Sequence, residues 1–250
     1  MALLGGLIGL GGAEFRLPLL IAVFALYPHR AIRINLLITF ATLAMSAAAR
    51  LKFLGAADVS SFHIEILTMV LGGMAAAWIG AGFLERIHKA HIMTVIAALL
   101  ASTAVLLALE GLLSGASWSA LPQDPLLRAV AGVAAGLFVG SISSLLGVAG
   151  GEFIIPILIF MLGADIRTAG TASVLISLPI VLTGVARHWL TGHYRSQTML
   201  LYLMVPMSLG SLVGAAAGSY LAVSAPTNAL RLTLAAILAA SAFKLWSKDR

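Results

Sequence analysis

The sequence predicts an all-α integral membrane protein made of two homologous repeats in inverted orientation. Three observations predict this class: an apolar composition, long apolar segments and a duplicated motif. Hydrophobic residues make up 61% of the 250 positions and charged residues 10%, against roughly 25% charged residues in soluble domains. Since so few polar groups cannot cover a core of this size, a soluble or disordered chain is excluded. The continuous apolar segments argue against a β-barrel.

The charged residues stand singly between apolar segments, although the net charge is +6. This pattern indicates residues that set membrane topology, not a nucleic-acid surface. The absence of cysteine excludes disulfides and thiolate sites. Nucleophile-elbow, zinc-protease and P-loop motifs are also absent, so we expect no enzyme, no cofactor, no metal site and no ATP-driven transport by this chain alone. Since no basic region precedes the first segment, we expect no cleavable signal peptide.

Eight apolar segments are separated by short charged, proline-containing or polar breaks. They cover 2–26, 34–49, 62–84, 92–113, 129–163, 171–186, 198–222 and 229–246. Breaks this short leave no room for a soluble domain. The polar cluster 122–125 lies near the middle of the chain. We therefore assign 1–121 to a first membrane repeat, 122–128 to a linker and 129–250 to a second membrane repeat.

The two halves share a motif at a separation of 138 positions. Of the 31 positions from 9 to 39, ten are identical to the residue 138 positions later. The most specific identities join Gly9, Gly12, Glu14 and Pro18 to Gly147, Gly150, Glu152 and Pro156. A carboxylate, a proline and two glycines in register within apolar segments indicate an internal duplication, which is typical of transporter folds.

Each repeat is expected to begin with a segment that is broken at its glycines. The stretch 129–163 would form a helix about 52 Å long, whereas the hydrocarbon core is about 30 Å thick. The break is predicted at 147–152, and at 9–14 in the first half, as a kink or as a re-entrant hairpin. With re-entrant segments and three transmembrane helices per half, nine Lys/Arg face one side and five the other. The positive-inside rule favours this arrangement, with both termini cytoplasmic.

Two carboxylates lie deep in apolar segments at matching positions, Glu14 and Glu152. A charge at this depth is costly, so such groups usually have a function or a partner. One interpretation is that they bind and release protons during transport. The other is that each accepts hydrogen bonds from the amides of its own helix break. Arg16 follows Glu14 and either neutralises it, meets an anionic substrate or extends to the interface.

Further candidates are polar and small residues at and after each break. They are Gly12, Asn35 and Thr39 in the first half, and Gly150, Gly151, Thr171, Ser173 and Ser177 in the second half. Because positions four apart share a helix face, these side chains either line a polar pathway or join neighbouring helices. Arg33, Arg50 and Arg187 either attract an anion or anchor helix ends at the interface.

The paired glycine motifs resemble those of the sulfite exporter TauE/SafE family. The first copy runs from Gly9 to Pro18 and continues with residues 29–35, and the second runs from Gly147 to Pro156 and continues with residues 167–173. The resemblance extends over nearly the whole chain. Arg33 and Asn35 depart from the small residues of the family pattern, and Ala149 replaces a glycine.

The resemblance implies a multi-pass protein of the bacterial inner membrane. As a secondary transporter it would move small sulfur-containing or organic anions such as sulfite, sulfonates, sulfoacetate or taurine, coupled to protons. Its partners would be the small anion, protons and the lipid bilayer, and a homodimer stays open. Alternatives are an anion channel, an intramembrane enzyme that uses the paired Glu residues, and a structural subunit.

Overall fold

A computed structural model describes residues 12–53, 62–87, 124–164, 166–194 and 205–214, with isolated positions at 94–96, 98, 101, 102, 105, 122 and 217. All regular structure in these ranges is helical. The helices are α1 (Ala13–Ala22), α2 (Pro28–Phe53), α3 (His63–Phe83), α4 (Pro125–Leu146), α5 (Gly151–Leu162), α6 (Ile166–Leu190) and α7 (Val205–Gly214), with a 3₁₀ turn at Leu84–Arg86.

Four helices in the described ranges, α2, α3, α4 and α6, are long and apolar enough to cross a membrane. They confirm the predicted class of all-α membrane protein. By contrast, α1 has 10 residues and α5 has 12. At about 1.5 Å per residue, each reaches only about half of the hydrocarbon thickness.

The helices extend beyond the apolar segments seen in the sequence. The segment 34–49 lies within α2 and 171–186 within α6, because backbone groups near a membrane are satisfied by continuing the helix through polar residues. Similarly, α4 begins at Pro125, inside the stretch assigned to the linker, where the carboxylate of Asp124 accepts a hydrogen bond from the amide of Leu126.

The apolar stretch 129–163 is broken at its glycines, as predicted. Gly147 ends α4 and Gly150 precedes α5, both with left-handed backbone. The rings of Phe138 and Phe153 lie edge to face with centroids 5.4 Å apart. In a kinked but continuous helix these residues would be about 20 Å apart. The chain therefore turns back after α4, and α5 begins beside the middle of α4.

The glycines of α4 determine its direction relative to α3. They meet α3 in chain order: Gly132 beside Thr68, Gly136 beside Met69 and Gly140 beside Gly73. The two helices therefore run parallel, and a Cβ at any of the three α4 positions would overlap α3. Small residues allow such close approach in membranes. Ile180 also meets Gly73, and Arg187 meets Trp78, so α6 runs parallel to α3.

Helices α2 and α6 run antiparallel. At one end, Nη1 of Arg50 lies 3.4 Å from Oγ1 of Thr171. At the other end, the Tyr194 hydroxyl donates to the carbonyl of Arg33 at 3.2 Å. Buried leucines and valines of the two helices form a small apolar cluster between these ends.

The local structure of α1–α2 corresponds to that of α5–α6 at the 138-residue separation. Helices α1 and α5 begin 138 positions apart, as do α2 and α6. Gly12 and Gly150 precede the short helices with φ of 70° and 79°. The short helices end alike, since Leu26 and Ala164 each donate to a carbonyl six residues earlier. The left-handed residue in those turns is Ala25 in one half and Gly163 in the other.

Candidate functional site

Asn35 joins the two helix breaks. Its Nδ2 donates to the carbonyl of Ala13, the first residue of α1, and to the carbonyl of Gly147, at the end of α4, both at 2.9 Å. Asn35 is fully buried and lies about one turn from the midpoint of the α2 span. Gly150 packs against Val139, about one turn from the midpoint of α4. The two short helices therefore begin near the middle of the long helices, both beside the Asn35 side chain.

Arg16 lies at this junction and points inward rather than out to the interface. Its side chain is 4% exposed. The guanidinium donates to four neutral side chains: Nε to Asn35 at 3.1 Å, Nη2 to Thr39 at 2.8 Å, and Nη1 to Thr42 at 3.2 Å and Ser211 at 3.1 Å. The structure thus brings three predicted residues, Arg16, Asn35 and Thr39, into one cluster, which we call the Arg16 cluster.

Sequence reasoning missed Thr42 and Ser211 in this cluster. A signal for Thr42 exists, because Asn35, Thr39, Thr42 and Ser46 follow one another at helical spacing on one face of α2. All four are buried. No local signal points to Ser211, which comes from α7 and lies 195 positions after Arg16.

In the second half, Gly150, Gly151 and Glu152 form the start of α5. Glu152 is 1% exposed and lies in the first turn of the helix, where the helix dipole stabilises a negative charge. Ser143, also missed from sequence, closes the preceding loop by donating to the carbonyl of Val148 at 2.7 Å. The side chain of Glu14 lies outside the described residues, so its role in proton binding or in its own helix break stays a prediction.

The remaining candidates of the second half lie buried along α6. Thr171 approaches Arg50, which is 2% exposed and reaches across from α2. Ser173 donates to the carbonyl of Gly170 at 3.0 Å. Ser177 is fully buried, and its Oγ forms no hydrogen bond with the described residues. The antiparallel register places Ser177 at the height of Thr42.

The two other arginines lie at the opposite end of α2 and α6 from Arg50. The Arg187 guanidinium stacks over the Trp78 ring at 4.8 Å, and the side chains of Arg33 and Arg187 are half-buried. The structure therefore does not bring Arg33, Arg50 and Arg187 together. It separates two arginines at one end of the bundle from one at the other.

A family model for the sulfite exporter TauE/SafE matches residues 1–245. The chain belongs to this family. No curated protein and no solved structure matches it. As a TauE/SafE member with four described helices of membrane-spanning character, the chain is a multi-pass membrane transporter of the anion-exporter type.

Proposed function

We propose that this TauE/SafE chain is a secondary transporter of small sulfur-containing or organic anions, of the sulfite, sulfonate, sulfoacetate or taurine type, in the bacterial inner membrane. The observation that carries the proposal is the burial of Arg16 near mid-depth, where Asn35 joins both helix breaks. A cation inside the membrane is costly and marks an ion pathway in many transporters. In an anion exporter, the Arg16 guanidinium would bind the transported anion.

The anion site we propose lies between the Arg16 cluster and the start of α5. Neutral hydroxyl and amide groups orient the guanidinium, whose planar donors suit sulfonate-like oxygens. Backbone amides at a helix start favour an anion as well. The Ser177 hydroxyl, at the same height, is a further donor for the substrate. Ser173, one turn before Ser177, continues this polar face of α6, whereas Thr171 leaves α6 on another side and approaches Arg50.

The architecture we infer is a pair of inverted repeats, 1–121 and 129–250, joined by the linker 122–128, with cytoplasmic termini. Two findings support it: the helix starts that recur at 138 positions, and the antiparallel course of α2 and α6. Equivalent helices that run in opposite directions are what an in-plane pseudo-two-fold axis produces. Such symmetry lets the two breaks exchange roles between inward-open and outward-open states.

Anion flux into proteoliposomes tests the anion site. We expect Arg16→Gln to abolish sulfite flux and Arg16→Lys to lower it about tenfold or more, because an ammonium cannot reproduce the four directed hydrogen bonds. Arg30→Lys, at an exposed position of α2, is the matched control and keeps wild-type flux. Wild-type flux in Arg16→Gln contradicts the site, and flux that never saturates with anion concentration indicates a channel.

Proton coupling, which we assign to Glu14 and Glu152, has its own test. Each Glu→Gln variant is expected to lose the acceleration of flux by an imposed pH gradient. Asp124→Asn is the control, because asparagine also caps the start of α4. Flux that keeps its full pH dependence in both Glu→Gln variants refutes the assignment.

A further inference from the structure

His188, near the end of α6, is a buried group that the proposed transport site does not use. Its side chain is fully buried, and neither ring nitrogen forms a hydrogen bond with the described residues. The ring lies edge to face with those of His193 and Tyr194, at centroid distances of 5.8 Å and 6.3 Å. Each buried polar atom without a partner costs roughly 1–3 kcal/mol. An apolar ring would fill this space without that cost, so the imidazole is expected to serve a ligand.

The charged groups that act on His188 are all basic. They are Arg33 from α2, Arg187 from α6 itself and His193 from the turn after α6, and no described carboxylate is among them. Tyr194 stays neutral, because burial raises the pKa of its phenol, against a smaller opposing effect of Arg33, and its hydroxyl donates to the carbonyl of Arg33. Surroundings of positive charge without a described carboxylate suit an anion and repel a metal cation.

This location is separate from the Arg16 cluster. Arg33 and Asn35 are two positions apart on α2, so their side chains leave the helix about 200° apart. Asn35 accepts a hydrogen bond from Arg16, whereas the charge of Arg33 acts on His188. The Arg187 guanidinium stacks on the ring of Trp78 in α3, and its charge also acts on His188.

We propose that His188, Arg33 and His193 form a second anion site, which receives an oxyanion at this end of the bundle. The inference rests on the proposed function for the class of anion, a sulfite or sulfonate group. An imidazole N–H donates to an anion oxygen, and the guanidinium and the second imidazole add charge around it. The anion's charge favours uptake of a proton by the ring, so anion and proton bind together.

Binding of ethanesulfonate to the purified full chain in detergent tests this site. The charge of this probe is constant between about pH 5 and pH 8, where histidines titrate, so a pH effect reports on the protein. The measurement uses Arg16→Gln as background to remove the central site. We expect the remaining binding to strengthen as the pH falls, with uptake of a proton measured by calorimetry in buffers of different ionisation enthalpy.

His188→Phe, added to this background, is expected to weaken ethanesulfonate binding about tenfold or more and to remove its pH dependence, because a hydrogen bond to a charged group is lost. Without anion, the unfolding temperature of His188→Phe should be unchanged or higher, since the buried ring nitrogens without partners are gone. His63→Phe, at an exposed position of α3, is the control and should bind as the background does. Equal affinity and pH dependence with and without His188 overturns the site. A chain that binds at His188 but moves no anion contradicts the transport function instead.

Discussion

Replacing Asn35 with leucine tests whether one side chain holds the two helix breaks together. Leucine has the same branched skeleton, with a larger volume, but neither donates nor accepts hydrogen bonds. The substitution removes both 2.9 Å hydrogen bonds to Ala13 and Gly147, and the 3.1 Å bond from Arg16. We therefore expect the loop between α4 and α5 to open more often, because its carbonyl loses the contact with α2.

The magnitude follows from the groups left behind. Two buried carbonyls and one guanidinium N–H lose their partner, at roughly 1–3 kcal/mol each. A total of about 3–9 kcal/mol is a large part of the usual 5–15 kcal/mol stability of a protein. If about 3 kcal/mol of this loss affects only the opening of the loop between α4 and α5, the fraction of molecules with an open loop rises by about two orders of magnitude.

Thiol labelling measures this opening, because the chain contains no cysteine of its own. Ala149→Cys places a reporter at a fully buried loop position, and Leu126→Cys gives an exposed reference. Asn35→Leu should accelerate labelling at position 149 by about a hundredfold and leave position 126 unchanged. Thr183→Ala, which removes a hydrogen bond to the Pro179 carbonyl within α6, should have little effect. If Asn35→Leu leaves the labelling rate at position 149 as low as the control does, Asn35 does not hold the break.

Thermal unfolding in detergent tests two further predictions. Ala25 has a φ of 51°, so Ala25→Gly should raise the free energy of unfolding by about 1 kcal/mol, and Gly163→Ala should lower it by a similar amount. Shifts of the same sign would contradict this explanation. Gly140→Ala should lower it by about 1–3 kcal/mol, since its Cβ overlaps the backbone of α3. Gly210→Ala, whose Cβ would meet no atom of the described residues within 4 Å, should be neutral or stabilising. A loss equal to that at Gly140 argues against close packing as the cause.

The positions of the helix breaks follow from the sequence, because their cause is local. A long apolar stretch cannot stay helical through Gly147 and Gly150 without exceeding the membrane thickness. Glycines four apart in α4 form a smooth helix face that allows close approach, but only the structure shows that α3 packs there. The choice between a kink and a hairpin was not accessible, because it depends on which residues α5 packs against after the turn.

The candidate site could be predicted only in part. The sequence pointed to Arg16, Asn35 and Thr39 as polar residues in apolar segments, and the continued spacing would have added Thr42. The sequence left open whether Arg50 attracts an anion or anchors a helix end at the interface. In the structure, its side chain is buried against α6. The burial of His188 was not accessible from the sequence either, because the burial of a polar side chain at a helix end depends on neighbouring helices.

By itself, the sequence determined the membrane class, the helix breaks and the duplicated pattern, since composition, glycine backbone requirements and spacing act over a few turns of chain. Only the tertiary structure decided that Asn35 bonds to Gly147, 112 positions away, and that Arg16 meets Ser211. Hydrogen-bond partners across such separations are fixed by the packing of whole helices. The polar groups of a membrane protein must find partners inside it, and the fold selects which ones.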